Sequence, residues 1–359
     1  MGKAKIDIKA AENYRSSRLE RYNRSKKKTK SETTKEYFKS IEIDNIIRNY
    51  NEKGDLYFQE CIGSGSESYV FRTLLKKDKK IIAAKIIINQ NEDIKNLNEI
   101  IISKKVKHQN VANYYGCIKL KEDYLYCLLM ELAKYGNLRD FQYKTLKRNA
   151  LSESFLCFIT FQILEGLKYL ESCKIAHLDL KPQNITIDEY LNAKLIDFSI
   201  SLDYSRINSR EIELPFKGTN FYMAPEVLSS KIIETKDLSK VDLYSLGVML
   251  YNLAFSSYPF NLNHEDSNDY EGILNKIMNN EIEIKDNTYS PQFIDFLKKL
   301  LEKNINERIN INQALNHYWV KGAKILYEEK DKLYNAGTFL SLLITDQIKE
   351  FNDYNFRLN

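Results

Sequence analysis

The chain has 359 residues, of which 43% are hydrophobic and 29% are charged. This composition is ordinary for a globular protein, and the length allows a full core and a cleft between two lobes. The net charge of +5 is uneven, because residues 1–40 hold 13 Lys and Arg against 5 Asp and Glu and so carry +8, which leaves −3 for the rest. The basic charge thus belongs to a tail, and we do not expect the body to bind nucleic acid.

The five cysteines, at positions 61, 117, 127, 157 and 173, form no C-x-x-C pair. Their odd number and scattered spacing favour reduced thiols and a reducing compartment, and they speak against structural zinc. No apolar stretch approaches the roughly 18–20 residues of a membrane span, and the N-terminus lacks the apolar core of a signal peptide. We expect a cytoplasmic location, with a nuclear one as the alternative.

Residues 1–50 are predicted to be a basic, flexible extension, since every residue from 24 to 30 is Lys, Arg, Ser or Thr. A nuclear-import patch and a docking arm for an acidic partner are the alternatives.

The pattern from Leu56 to Val70 predicts a strand, a turn and a second strand. Gly63 and Gly65 in the turn would let backbone amides approach phosphate oxygens, although an ordinary hairpin turn needs the same residues. The β-branched run 79–88 predicts a buried strand with Lys85 in its middle. A lysine there needs a carboxylate partner unless it lies at an edge and reaches solvent.

Two further strands are predicted at 114–120 and 124–130, with a turn at 121–123. Apolar residues at helical spacing then predict a core helix from Ser152 to Ser172, and further helices are expected at 291–303 and 311–320.

Asp179, Lys181, Asn184 and Asp197 follow at offsets 0, +2, +5 and +18. Phosphoryl transfer needs such a set: a carboxylate that orients a hydroxyl, an ammonium near the moving phosphate, and two oxygen ligands for magnesium. At these residues the chain resembles the eukaryotic protein kinase family. The Lys181-Pro182 pair resembles the serine/threonine type more than the tyrosine type.

The resemblance implies an α+β, two-lobed protein kinase fold, with a small antiparallel β-sheet lobe and a larger, mainly helical lobe. The kinase domain would span residues 51–320, its small lobe 51–132 and its large lobe 133–320. Residues 321–359 would form a C-terminal helical extension. Its apolar face at 340–351 would dock on the kinase itself, or else bind a regulatory partner or act in autoinhibition.

By the same resemblance, Asp179 accepts a hydrogen bond from the substrate hydroxyl and Lys181 neutralises the transferring phosphoryl group. Asn184 and Asp197 hold Mg²⁺ against the phosphates of ATP. His177 is expected to be a packed structural residue.

Lys85 would bind the α- and β-phosphates with Glu99 as its partner, Glu92 being the second choice. Val70 would pack on the adenine, Met130 would border the deep pocket, and the residues after it would offer backbone groups. The residues that the resemblance assigns to ATP binding are Ile62, Gly63, Gly65, Ser68, Val70, Ala83, Lys85, Glu99, Met130, Glu131 and Ala133.

Four further residues are assigned to substrate docking and to the support of the catalytic loop. Thr219 would contact that loop and Asp242 would anchor its backbone. Glu226 would form a buried ion pair with Arg308, unless both are exposed.

Four positions depart from the family pattern. Ser68 replaces the third glycine of the phosphate-binding loop, and Ser103 stands where an apolar residue usually docks the helix of Glu99, so that helix is expected to dock loosely. Leu178 replaces the arginine before the catalytic aspartate, which makes control by a phosphate on the activation segment at 200–217 less expected. Ser199 replaces the glycine after Asp-Phe.

The first hypothesis is therefore an active serine/threonine kinase that transfers the γ-phosphoryl group of Mg-ATP to protein hydroxyls. The alternative, motivated by the four departures, is a pseudokinase or scaffold that binds nucleotide or partners without efficient catalysis. A small-molecule phosphotransferase is a third possibility, against which the docking segment 218–226 speaks.

Overall fold

The structure is a computed structural model, and it describes residues 47–334 except 53, 65–67, 89–97, 122–124, 148–149, 216, 264–265, 267–268 and 285–287. The predictions for Gly65, for Glu92, for the basic extension up to residue 46 and for the apolar face at 340–351 lie outside the described residues. The chain divides into two compact units. Residues up to 64 together with 69–84 form the first unit, and residues 65–68 together with 85 onward form the second.

The strands follow the chain as β1 to β11. They are Leu56–Ser64, Ser68–Leu75, Lys80–Ile88, Tyr114–Lys121, Leu125–Met130, Ile175–Ala176, Ile185–Ile187, Ala193–Leu195, Leu202–Asp203, Glu211–Glu213 and Ile232–Glu234. The first five form one sheet with the order β1-β2-β3-β5-β4, and the others form the antiparallel pairs β6-β9, β7-β8 and β10-β11.

In the first unit, β1 and β2 form an antiparallel hairpin in which Leu56 pairs with Leu75 and Gly63 pairs with Val70. Alternation in β1 buries Leu56 and Phe58 on one face, as the period of two in a strand requires. The Phe58 ring packs edge-on against that of Phe71, with 5.8 Å between ring centroids. In the second unit β4 and β5 pair antiparallel.

Nine helices are numbered here in the described part of the second unit. α1 to α9 are Asn98–Lys105, Leu138–Asp140, Glu153–Ser172, Pro225–Leu228, Leu238–Phe255, Tyr270–Asn279, Pro291–Leu300, Ile311–Leu315 and Tyr318–Tyr334. Single turns at 182–184, 220–222 and 235–237 are 3-10 helices, and a π-helical turn at 141–145 extends α2.

Two long helices, α3 and α5, make the core of the second unit. α3 begins where Ser152 Oγ accepts a hydrogen bond from the Phe155 N–H (3.3 Å), the usual side-chain cap of a helix N-terminus. α5 is buried over nearly its whole surface, which is typical of a helix that is apolar on all sides. Gly247 lets α7 approach α5, since a Cβ at that position would lie 2.9 Å from the Leu300 Cβ.

The predicted helix 311–320 is two helices rather than one. α8 begins with a capping box, in which the Asn310 and Gln313 side chains each accept from the other's backbone N–H. The chain then turns at Asn316 and His317, and His317 Nδ1 accepts from the Trp319 N–H (3.3 Å) near the start of α9. Apolar spacing continues across this break, so the pattern alone does not show it.

The predicted α+β class is confirmed, with a small antiparallel sheet followed by a mainly helical part. Within the described residues, no helix has both the length and the apolar character that crossing a bilayer requires.

Candidate active site

A buried lysine with two carboxylates forms the first half of the site, which we call the Lys85 group (Lys85, Glu99 and Asp197). Lys85 lies on β3 and Glu99 in the first turn of α1. The Lys85 Nζ donates to both Glu99 oxygens, at 2.7 and 2.8 Å, and to Asp197 Oδ1 at 2.9 Å. Burial alone would lower the pKa of Lys85, but the two carboxylates outweigh it and raise that pKa, so the side chain is charged.

Asp197 has properties that suit a cation ligand. Burial would raise the pKa of its carboxyl group, yet the charge and hydrogen bond of Lys85 outweigh burial and lower the pKa to about 2. The described hydrogen bonds to Asp197, from Lys85 and from the Ser199 N–H (3.4 Å), use only Oδ1. The side chain is 30% exposed, so that an ionised oxygen is accessible to solvent.

The second half of the site is the Asp179 group (Asp179, Lys181, Asn184 and Thr219). The Lys181 Nζ lies 2.7 Å from Asp179 Oδ2 and 2.8 Å from the Thr219 hydroxyl oxygen. The Thr219 hydroxyl donates to Asp179 Oδ1 (2.9 Å), and Asn184 Nδ2 donates to Asp179 Oδ2 (2.9 Å). The carboxylate is therefore fixed by three donors from two segments of the chain.

Backbone contacts join the two halves. The Ile196 N–H, which precedes Asp197, donates to the Asn184 carbonyl oxygen (3.0 Å). The fully buried His177 has its Nε2 2.9 Å from the Ile196 carbonyl oxygen, in keeping with a packed structural role. Asp242 on α5 accepts from the N–H groups of His177 (2.8 Å) and Leu178 (2.7 Å). Residues 177–184 and the segment around Asp197 are thus held to the central helix.

Glu226 and Arg308 form a bidentate ion pair in the core. Arg308 Nη1 and Nη2 donate to the two Glu226 oxygens at 2.7 and 3.0 Å, and the side chains are 0% and 3% exposed. Nε donates to the Glu302 carbonyl oxygen and Nη1 also to that of Lys240. The Tyr244 ring lies 4.9 Å from the guanidinium carbon, a cation–π contact.

The remaining residues that the resemblance assigns to ATP binding lie outside the Lys85 group and the Asp179 group. Ile62, Gly63, Val70 and Ala83 are in the first unit, and Ser68 starts β2.

Met130 ends β5, and backbone hydrogen bonds fix the residues that follow it. The Glu131 N–H donates to the Asn113 carbonyl oxygen (2.9 Å), and the Ala133 carbonyl oxygen accepts from the Gly136 N–H (3.2 Å). The Glu131 carbonyl and the Ala133 N–H take no part in these bonds.

A family model described as the protein kinase domain matches residues 56–320. The chain belongs to the protein kinase family. The predicted two-lobed kinase fold is thereby confirmed, together with the membership that residues 177–184 and Asp197 indicated.

Named kinases are among the similar proteins. The serine/threonine-protein kinase pakH of Dictyostelium discoideum is 33% identical over 284 residues, which cover 77% of this chain and 52% of that protein. The MAP kinase kinase MKK1/SSP32 of Saccharomyces cerevisiae is 31% identical over 274 residues, 73% of this chain and 52% of that protein. The chain thus spans about half the length of these curated relatives.

Sequence reasoning missed the residues that hold α1. Asn98 Nδ2 donates to the Phe198 carbonyl oxygen (3.1 Å) and also to that of Ser201, while Lys105 at the other end of α1 pairs with Asp203. The loose docking expected from Ser103 is offset by these contacts at both ends. Asn98 directly precedes Glu99, and that adjacency is the one sequence signal that could have indicated its role.

The donor set of the site fits magnesium bound through phosphate. Both described hydrogen bonds of the Asn184 side chain are donated by Nδ2, so its amide oxygen stays available as a hard ligand beside the ionised Asp197. In the part of the chain that the structure describes, no group of three or more His, Cys, Asp or Glu side chains is placed to hold a metal ion. Two protein oxygens with phosphates and water suit Mg²⁺, which rarely takes an all-protein cage.

Proposed function

We propose that this chain is a serine/threonine protein kinase that transfers the γ-phosphoryl group of Mg-ATP to a protein hydroxyl. The observation that carries the proposal is the Asp179 group. Its carboxylate, ammonium, amide and hydroxyl are already hydrogen-bonded to one another, and a backbone bond ties this group to the segment of the ionised Asp197.

The chemistry follows from these contacts. A substrate hydroxyl placed at Asp179 donates its hydrogen bond to the carboxylate and attacks the γ-phosphorus in line. The oxygen–phosphorus bond to the substrate forms as the bond to the leaving ADP oxygen breaks, and the hydroxyl proton passes to Asp179. Lys181, 2.7 Å from Asp179 Oδ2, supplies positive charge where the phosphoryl group moves.

We assign nucleotide binding to the Lys85 group together with residues 130–133, which include the end of β5. Lys85 is charged and held by Glu99, so that it can meet phosphate oxygens as a positioned cation. Magnesium, when bound through Asn184 and Asp197, neutralises charge on the phosphates. Ile62, Gly63, Gly65, Ser68, Val70 and Ala83 remain predicted contacts for ATP.

The experiment is incorporation of labelled phosphate from Mg-ATP into a generic protein, followed by identification of the phosphorylated amino acids. We expect phosphoserine or phosphothreonine from the parent, and a loss of about 10²- to 10⁴-fold in Asp179→Asn. Glu328→Gln on the exposed side of α9 is the control, since it neutralises one carboxylate outside the site. Equal incorporation by Asp179→Asn and the parent would refute the assignment of Asp179.

The alternative function is a scaffold that binds nucleotide without efficient transfer, motivated by Ser68, Ser103, Leu178 and Ser199. A thermal shift with Mg-ATP in the parent, lost in Lys85→Met, combined with no phosphate incorporation would favour it. Incorporation that depends on Asp179 would exclude it.

A further inference from the structure

A cavity of about 280 Å³ lies within the second unit, against the segment that carries the catalytic residues. Its wall includes Arg139, Tyr143, Pro182, Gln183, Tyr222 and Asn252. Pro182 and Gln183 belong to the same 3-10 turn as Asn184, whose side chain bonds the Asp179 carboxylate. The cavity therefore begins one residue from the group that would orient the substrate hydroxyl.

The only charge on the described wall of the cavity is positive. Among the described residues that line it, Arg139 is the only charged side chain and none is Asp or Glu. Arg139 is exposed, and no carboxylate in the described part of the chain forms an ion pair with it. The carboxylate next to it, Asp140, is held by Lys144 (3.1 Å) and by Asn137 (3.1 Å). An exposed guanidinium without a carboxylate partner among the described residues suits a bound carboxylate or phosphate.

The neighbouring wall offers hydrogen bonds. Gln183 Oε1 is buried and has no hydrogen-bond partner among the described atoms. Leaving such an acceptor unpaired is unfavourable, and rotation of the Gln183 amide toward the cavity would let it accept from a donor N–H of a bound peptide. Burial raises the pKa of Tyr222, so its hydroxyl stays protonated at neutral pH. The wall thus combines one cation with uncharged polar groups.

We propose that this cavity is a substrate subsite for an anionic side chain, an aspartate, glutamate or phosphorylated residue, that lies within a few residues of the acceptor hydroxyl. Arg139 pairs with the anion, and Gln183 accepts from a substrate N–H. A lysine or arginine at the same place would meet the positive charge of Arg139, and no described residue that lines the cavity is a carboxylate. This inference rests on the proposed kinase function and adds the substrate class.

The test uses the full chain and three peptide sets that share one serine acceptor. Their flanking positions carry Asp or Glu, phosphoserine, or Lys, one position at a time. We expect the parent to favour an anion at one or two positions, and Arg139→Glu to lower kcat/KM for those peptides by roughly 5-fold or more while it raises that for the Lys peptides. Lys298→Glu on α7 is the matched control, because it changes the net charge equally but does not line the cavity.

A second measurement does not depend on turnover. Binding of a fluorescent acidic peptide to the parent, with weaker binding to Arg139→Glu and unchanged binding to Lys298→Glu, supports the subsite. Equal binding and equal kcat/KM in the parent and Arg139→Glu overturn it. No phosphate transfer with intact, Arg139-dependent peptide binding refutes the kinase proposal alone. The Asp and phosphoserine sets show which anion is preferred.

Discussion

The buried ion pair of Glu226 and Arg308 yields the sharpest prediction of stability. In Glu226→Gln the volume is kept, but the Arg308 guanidinium loses its counter-charge while its side chain stays 0% exposed. Water cannot replace the lost partner there. The bond lengths of 2.7 and 3.0 Å indicate that both carboxylate oxygens take part, and glutamine can accept at only one of them.

Breaking a buried pair by removing one partner costs about 3–5 kcal/mol. Because glutamine keeps one acceptor, we expect a cost near the lower end, about 3 kcal/mol in the free energy of unfolding. At roughly 2–4 °C per kcal/mol, the melting temperature should fall by roughly 6–12 °C. Chemical denaturation followed by circular dichroism, with a thermal scan alongside, measures both quantities.

Two variants serve as references for that measurement. Asp295→Asn removes an exposed carboxylate that pairs with Lys299 and lies 2.9 Å from His317 Nε2, and it should change stability by no more than about 1 kcal/mol. The double variant Glu226→Leu with Arg308→Met removes both charges and should recover part of the loss, since apolar residues of similar size replace buried pairs well. The recovery is incomplete because the Glu302 and Lys240 carbonyl oxygens lose the hydrogen bonds that Arg308 donates. If Glu226→Gln lost no more stability than Asp295→Asn, the inference that the buried Glu226–Arg308 pair stabilises the fold would be wrong.

Three further predictions follow from the core, the thiols and the site. Gly247→Ala should destabilise the fold by roughly 1–3 kcal/mol in urea titration, because its Cβ would lie 2.9 Å from the Leu300 Cβ; an unchanged midpoint would contradict this packing. Burial raises the pKa of the Cys127 thiol, so in the native protein iodoacetamide should label the exposed Cys61 first and Cys127 only after denaturation, as read by peptide mass spectrometry. The pKa of Asp197 falls from 3.8 to about 2 on folding, so its contribution, on the order of 2 kcal/mol, is present above pH 4 and lost towards pH 2. The stability gap between the parent and Asp197→Asn should therefore shrink as the pH falls from 5 to 2, and a constant gap would count against the ion pair.

Local spacing explains why much of this site could be predicted from the sequence. Asp179, Lys181 and Asn184 lie within one short loop, so their residue types and offsets nearly define their geometry. The strand of Lys85 was also predictable, because a β-branched run with one lysine requires a buried partner. Family membership and the α+β fold followed from these motifs and are confirmed.

Contacts between segments that are distant in the sequence were harder to predict. The resemblance favoured Glu99 as the partner of Lys85 and kept Glu92 as the second choice. The structure places Glu99 Oε1 2.7 Å from the Lys85 Nζ, and Glu92 lies outside the described residues. The bonds of Asn98 to backbone oxygens span about 100 residues and depend on where α1 packs. The cavity beside Gln183 likewise brings together four stretches of the chain, and no single stretch carries a pattern that indicates it.

The backbone at Leu178 has a consequence for how activity would be lost. Its φ of +64° is a left-handed conformation that a bulky residue adopts at an energetic cost, and the Asp242 carboxylate on α5 holds it there through the N–H groups of His177 and Leu178. If the hydrogen bonds to Asp242 were weakened, His177 and Leu178 would relax toward ordinary backbone φ and ψ angles. The adjoining Asp179 would then move out of its position. Substitution at Asp242 should thus abolish the proposed phosphoryl transfer while most of the molecule remains folded.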